Sequence, residues 1–439
     1  MSGFSSHRSI GVFGVAGLLL GGNVFASGFQ ITEQSVAGLG RAFAGSGVVG
    51  DDASAIFYNP AGMTLRQGIE AQAGITFIAS SGEFTNQGST QTIITPRGPI
   101  TIPSSGPDAN GGTNAYIPNL FFAMDASDRV RIGLGVTAPF GLKTKYGSEW
   151  VGRYQAVVSD LETIDINPSL AFKATDKLSL GVGFSAQYAD VTLSQAVFVV
   201  NPATGQQLPD GLAEVKGNNW GFGYDLGALY QFDPDTRIGA SFRSNVKQEV
   251  DGERTIEGIP GRSGTVGAQA SVTLPETVYV SAFKRLNPQW AVSGTVRWTN
   301  WSRFQELRIA SDDGSPDAVD EEDWNDTWFF AMGVDYAYRS DLTFRAGYAY
   351  DQSPVPNAAL RTPRIPDSDR NWLSVGASYR PLPTLTLDFG YSHLFFSDAN
   401  VDRSINLVAA APGVFTDTLV GEYETSSANI FGIQVNYRY

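Results

Sequence analysis

The chain has 439 residues and not one cysteine. No disulfide framework can hold it, so its stability has to come from hydrogen-bonded pairing and packing. Histidine is nearly absent as well, with only His7 and His393. That leaves no paired-histidine metal motif, and neither a G-x-S-x-G nor a Walker motif occurs. His393 has no defined Ser and acid partner, so no catalytic residue, metal or other cofactor is expected. The acidic stretches Asp312-Asp313 and Asp320 to Asp323 lack the spacing of a calcium loop and read as solvated loop. Basic residues are outnumbered, 30 Lys and Arg against 44 Asp and Glu, for a formal net charge of -14. Nucleic acid is therefore not an expected partner, because phosphates require a basic surface. Long apolar runs are missing too. Ile10 to Leu20 fits a secretory h-region and falls short of the ~20 residues a spanning helix needs. With the small residues Val24 and Ala26 before the cleaved bond, residues 1–26 are expected to be a signal peptide.

Aromatic residues, at 12%, and glycine, at 49 residues, are plentiful. After residue 67 one pattern repeats to the end: apolar residues alternate with small or polar ones for ten or so positions, and then a connection follows. Period two means a β-strand with two unlike faces. Phe431, Ile433, Val435, Tyr437 and Tyr439 share one face, and Gly432, Gln434, Asn436 and Arg438 the other. The same rhythm predicts strands near 68–79, 114–126, 129–140, 158–174, 177–196, 217–232, 235–251, 269–284, 288–308, 324–338, 341–352, 368–380, 383–397 and 427–439. Short connections alternate with long polar ones, which a soluble sandwich does not explain. Trp and Tyr often stand at strand ends, as an interfacial girdle requires, and the polar rows are rich in Gly, Ser, Thr, Asn and Gln. In lipid every backbone group must pair internally. The expected fold is all-β: a 14-stranded antiparallel transmembrane β-barrel over 68–439, with its greasy rows outward.

Residues 27–67 break the rhythm. Ser35 to Ala44 is expected as one short helix, and Asp52 to Tyr58 as a second, capped by Asp52. Asn59-Pro60-Ala61-Gly62 ends the second. A compact piece of this size ahead of a wide barrel reads as a plug in the lumen, or else as a periplasmic tail.

Ser27-Gly28-Phe29-Gln30, Gly38-Leu39-Gly40-Arg41-Ala42, Asp51-Asp52-Ala53 and Asn59-Pro60-Ala61 resemble the N-terminal hatch of the FadL family, the long-chain fatty acid transporters of Gram-negative outer membranes. The resemblance continues through Pro139-Phe140-Gly141-Leu142, Trp150-Val151-Gly152-Arg153-Tyr154, Asn219-Trp220-Gly221-Phe222-Gly223, Leu274-Pro275-Glu276 and Ile365-Pro366-Asp367. It implies passive transport of a hydrophobic ligand: capture at external loops, a pocket above the hatch, and lateral exit where strand three kinks inward. The kink falls at Ala138, Pro139, Phe140 and Gly141, and the gate at Asn59, Pro60, Ala61 and Gly62. Some members meet a carboxylate with basic residues inside the barrel. Two such places hold Gln195 and Asn325 here, while Arg153, Arg297 and Arg345 are inward candidates that equally suit ion-pair networks. Expected partners are a fatty acid or hydrocarbon ligand, outer-membrane lipid and lipopolysaccharide, around a monomeric barrel. Uptake of aromatic hydrocarbons and a general porin are the alternatives.

Overall fold

The computed structural model describes residues 27–95, 98–199, 207–259, 261, 263–408 and 414–439. The predicted signal segment and its cleavage site lie outside them. Fourteen antiparallel strands close into a barrel. They are β1 (Glu70–Asn86), β2 (Asn114–Ser127), β3 (Val130–Thr137, resumed at Gly141–Lys145), β4 (Val158–Lys173), β5 (Leu178–Val197), β6 (Gly211–Asp233) and β7 (Thr236–Arg243 with Val246–Glu257). Then follow β8 (Gly264–Leu274 with Thr277–Arg285), β9 (Trp290–Thr299), β10 (Thr327–Arg339), β11 (Leu342–Asp351), β12 (Arg370–Leu382), β13 (Leu385–Phe396) and β14 (Val414–Arg438). The last strand pairs with the first, from Glu70↔Arg438 through Phe77↔Phe431 to Asn86↔Gly421, which closes the ring.

Alternation sets the faces as expected. Ile433 is 56% exposed and its neighbour Gln434 0%. The same split separates Phe184, Phe222, Phe330 and Val375, which look outward, from Ser185, Asp225, Thr295 and Ser374, which are buried inside. A surface of this kind demands lipid around it.

Several boundaries differ from the sequence expectation. β1 runs on to Asn86, β6 starts at Gly211, and β7 and β8 continue as a paired hairpin through much of 252–268. The long connections also carry short strands at Thr90–Thr95, Gly98–Pro103, Glu306–Ser311, Ala318–Glu321 and Ala399–Val408. The ladder extends past the apolar band, where both faces are wet and the apolar alternation disappears. β9 ends at Thr299, and a 3-10 turn follows at Trp301–Arg303.

Residues 27–65 lie within the barrel, hydrogen-bonded to its inward rows. Gln30 reaches Thr277 (3.1 Å), Val36 N–H donates to Gln434 (2.9 Å), Gly45 N–H to Thr295 (2.9 Å), and Thr64 to Ser179 (2.7 Å). The first expected helix is cut to α1 (Val36–Leu39), capped by Ser35, whose hydroxyl accepts from Gly38 N–H at 2.9 Å. The chain cannot continue helically because Ala42 and Phe43 adopt φ of 50° and 61°. The second is α2 (Ala55–Tyr58), and Asp52 instead accepts from Ser54 just ahead of it.

Candidate functional site

Asn59 ends α2, and the chain then turns into a 3-10 helix at Pro60–Leu65. The Asn59 carbonyl oxygen of the side chain accepts from Ala61 N–H (3.1 Å), and its amide donates to the Ala228 carbonyl of β6 (3.1 Å). Proline at the first position costs nothing there, since that N–H would be unpaired. The wall accommodates this turn because it carries glycine opposite. A Cβ at Gly227 would stand 2.2 Å from the Asn59 oxygen, and one at Gly181 2.3 Å from the Ala61 nitrogen. The four predicted gating residues thus form one buried turn pressed against β5 and β6.

Ala138 to Phe140 interrupt β3. Thr137 pairs with Asp165 and Gly141 with Glu162, so three residues of β3 stand opposite two of β4. The extra residue is a bulge, and Pro139 has no N–H for the ladder. The β2–β3 ladder ends at Leu120↔Val136. Beyond it, Asn114 to Asn119 pair with β1, and Gly141 to Lys145 pair with β4. Among the described residues no ladder joins these two stretches, so the wall is interrupted between them. Below the interruption, Ala73, Leu120, Phe122, Leu134, Val136 and Tyr437 line an apolar recess of about 520 Å³ on the outer surface.

The start of the hatch closes the break from inside. Ile31 N–H donates to the Pro139 carbonyl (2.8 Å) and Gly141 N–H to the Phe29 carbonyl (2.9 Å), an antiparallel bridge centred on Gln30↔Phe140. Gln34 donates to the Ala138 carbonyl at 2.7 Å. The Phe29 ring fills a box of Trp301 (4.7 Å between centroids), Phe304 (5.7 Å), Trp324 (5.7 Å) and Phe140 (6.1 Å). The sequence reading had no role for Trp301, Phe304 or Trp324. Trp301 and Phe304 fell inside the strand expected over 288–308, and Trp324 at the start of the one expected over 324–338, whereas the strands stop at Thr299 and begin at Thr327. Trp324 donates its indole N–H to Glu322 (2.9 Å), a loop carboxyl that burial pushes well above the usual range.

The five head-group candidates do not converge. Arg297 is buried, bonded to Asp351 (3.2 Å) and to Thr32 of the hatch (2.6 Å). Arg345 contacts Asp335 (2.9 Å), Asp51 (3.3 Å) and Asp388 (3.6 Å). Both are ion-pair network residues that anchor the hatch. Arg153 lies on one of the long loops against Asp210 (2.7 Å), and Asn325 is exposed on another, its N–H given to the Pro354 carbonyl. Gln195 accepts from Arg364 at 2.6 Å. Arg364, which the sequence did not suggest, comes from the loop before β12 and has its nearest carboxylate, Asp320, only at 3.8 Å. From the same loop Asp367 accepts from Gly28 N–H (3.0 Å) and pairs with Arg370 (3.1 Å). Burial lifts its carboxyl to about 6, against the opposing pull of Arg370.

Comparison with known proteins gives a consistent picture. Residues 17–439 match the family model described as outer membrane protein transport protein (OMPP1/FadL/TodX). A long-chain fatty acid transport protein of Escherichia coli O6:H1 is 33% identical over 413 residues, 87% of this chain and 89% of that one. Outer membrane protein P1 of Haemophilus influenzae is 30% identical over 453 residues, 96% of this chain and 97% of that one. Among solved structures, a Pseudomonas aeruginosa FadL homologue matches with a TM-score of 0.81 at 26% identity, covering 94% of this chain and 99% of its own. The Ralstonia pickettii toluene transporter TbuX shares the fold, with a TM-score of 0.61 at 20% identity over 88% of this chain and 94% of its own.

Proposed function

This chain belongs to the OMPP1/FadL/TodX family of outer membrane transport proteins, barrels that carry hydrophobic molecules, and from that premise we propose that it takes up long-chain fatty acids without an energy source. An acyl chain gains nothing from an aqueous lumen and needs an apolar path past the polar outer leaflet. Capture begins on external apolar surface. The exposed Ile94, Ile100 and Ile102 of the hairpin between β1 and β2 offer such a surface, above the buried cluster in which Tyr146 stacks on Trp150 (4.1 Å) beside Phe84 and Tyr423. The ligand then moves toward the aromatic box above the hatch and leaves sideways through the break in β3. In this orientation the short turns are periplasmic.

The observation that carries the proposal is the Gln30↔Phe140 bridge, which couples the first residues of the hatch to the wall break. A ligand that enters the box competes with Phe29, and losing Phe29 removes the bridge that seals the exit. For the carboxylate end, Arg364 is a better partner than Arg297 or Arg345, since their guanidinium groups already face carboxylates at 3.2 Å or closer. Arg364 brings to Gln195 the positive charge that the side chain at 195 lacks. Fatty acid is preferred over aromatic hydrocarbon because relatives at 30% identity or more over most of the chain bear the name long-chain fatty acid transport protein.

Uptake of aromatic hydrocarbons is the second reading, favoured by the four rings around Phe29. Mass spectrometry of lipid extracted from the purified protein, paired with competition between labelled oleate and toluene for uptake by cells lacking their own transporters, separates the two. Co-purified fatty acid and oleate uptake unaffected by toluene are expected. Uptake of toluene alone would overturn the fatty acid assignment.

A further inference from the structure

Beneath the hatch, at the short-turn end of the barrel, the interior opens into a vestibule of about 490 Å³. Six arginines line it: Arg66, Arg237, Arg285, Arg345, Arg380 and Arg438. One comes from the hatch segment and five from separate strands, β7, β8, β11, β12 and β14. Asp51 and Asp335 face the same space, and both are already engaged: Arg41 reaches them at 2.7 and 3.1 Å, Arg345 at 3.3 and 2.9 Å. Arg66 is neutralised by Glu70 at 2.5 Å.

Four cations remain. Arg237 is buried, gives its donors to the Val48 and Val49 carbonyls of the hatch, and stacks over Phe283 at 4.1 Å. It forms no ion pair with any described residue, and neither do Arg380 and Arg438. Arg285 meets Asp235 only at 3.8 Å, with both side chains about half exposed, a pairing worth little. Strand alternation puts Arg285 on the inward face with Phe283, Arg380 with Ser378, and Arg438 with Asn436, away from lipid. In a chain of net charge -14, a concave space holding about four uncompensated guanidinium groups is not the average surface. Low-dielectric walls focus such a potential into the cleft.

We propose that this vestibule binds a phosphate-class oxyanion from the periplasmic side, an assignment whose sidedness rests on the orientation given above. Guanidinium forks match phosphate oxygens in bidentate geometry, and arginines on separate strands can approach one anion from several directions. The source is either a free phosphate compound or the head group of an anionic phospholipid. The hatch segment Val49–Asp51 lines the site, so its occupant touches the hatch from the side opposite the aromatic box.

The test uses the mature protein in detergent, titrated with inorganic phosphate and pyrophosphate at constant ionic strength and followed by 31P relaxation. Saturable binding is expected, weakened tenfold or more in an Arg380→Gln, Arg438→Gln double variant. Both positions are exposed, so folding should survive, and gel mobility checks it. Arg339→Gln, an exposed arginine paired with Asp341 outside the vestibule, should leave binding unchanged. Repeating the titration in nanodiscs identifies the source. Loss of phosphate binding when phosphatidylglycerol replaces phosphatidylcholine assigns the lipid head group, and retained binding assigns a free phosphate. Binding that does not saturate, or that is equal in the double variant, overturns the proposal. Labelling of Arg438→Cys by an impermeant reagent, before and after the outer membrane is permeabilised, reads the orientation separately. Failure of the phosphate titration therefore leaves the transport reading to stand on its own tests.

Discussion

At the scale of single residues, Phe29 is the most consequential side chain of the hatch. Its ring fills the space among two indoles and two phenyl rings, and its carbonyl accepts from Gly141. Truncating a buried Phe to Ala costs about 3–5 kcal/mol, here charged to a local contact rather than to the whole barrel. Phe29→Ala should therefore speed hydrogen exchange at the Ile31 and Gly141 amides by about a hundredfold or more, while gel mobility of the folded barrel stays unchanged. Unchanged exchange at both amides would show that the ring does not hold the bridge. Asp367 bears on the same segment through Gly28. Its carboxyl titrates near 6 in the folded protein against 3.8 ordinarily, so the folded state holds a proton that the unfolded chain has released. The stability from this group is complete below the unfolded value and is lost as pH rises through about 6, on the order of 3 kcal/mol in all. Asp367→Asn, which cannot ionise, should gain on the native protein in apparent melting midpoint as pH rises from 4 to 7. A difference that stays constant across that range would refute the assignment.

At the scale of elements, the break in β3 and the start of the hatch act as one unit, because Gln30 and Phe140 are directly opposed. Opposed antiparallel residues have the separation a disulfide requires, and the chain has no other cysteine to interfere. Cysteines at both positions should cross-link on oxidation, cut fatty acid uptake to background, and restore it on reduction. Undiminished uptake by the cross-linked protein would remove the lateral route. The glycine-lined wall gives a second handle. Gly181→Val would drive a side chain into the backbone of Pro60 and Ala61, and should displace the hatch turn while leaving the outward rows intact. Raised permeability of reconstituted vesicles to small solutes would report it.

How much of this was legible in the sequence follows from what each part needs. Outward strand rows announce themselves because lipid demands an apolar residue at every second position. The place of the break in β3 came from the family resemblance; Pro139 and Gly141, which a ladder tolerates poorly, would by themselves equally suit a strand that simply ends. External hairpins such as Thr90–Thr95 with Gly98–Pro103 were not, since with water on both faces no period survives. Nor was α1's early end, because Ala42 and Phe43 take left-handed backbone that only packing against the wall explains; a Cβ at Gly347 would lie 2.1 Å from the Arg41 carbonyl carbon. The head-group candidates failed to converge for a similar reason. Arg364 reaches Gln195 across 169 positions of sequence, a contact that alternation within one strand cannot encode.

For the whole molecule, the question is whether the barrel depends on what fills it. Each strand finds its hydrogen-bond partners in its neighbours, and β14 closes on β1 without help from residues 27–65. The apolar rows meet lipid whether or not the lumen is filled. Filling does matter to the interior charges: Arg41 sits between Asp51 and Asp335, and Arg345 spans Asp335, Asp388 and the same Asp51. Remove the hatch and Asp335 and Asp388 keep Arg345 as a partner, now in water that enters the lumen, where an ion pair is worth little and costs little to break. The barrel should therefore survive. Its lumen, wider than the eight-stranded barrels that side chains fill alone, should become an aqueous pore. A variant lacking residues 27–67 is expected to insert into planar bilayers and conduct, with steps well above those of the intact protein, and to lose its preference for hydrophobic solutes. An intact protein that already conducted as strongly would be a general porin, and a truncated one that stayed tight to small ions would mean that something other than this segment closes the barrel.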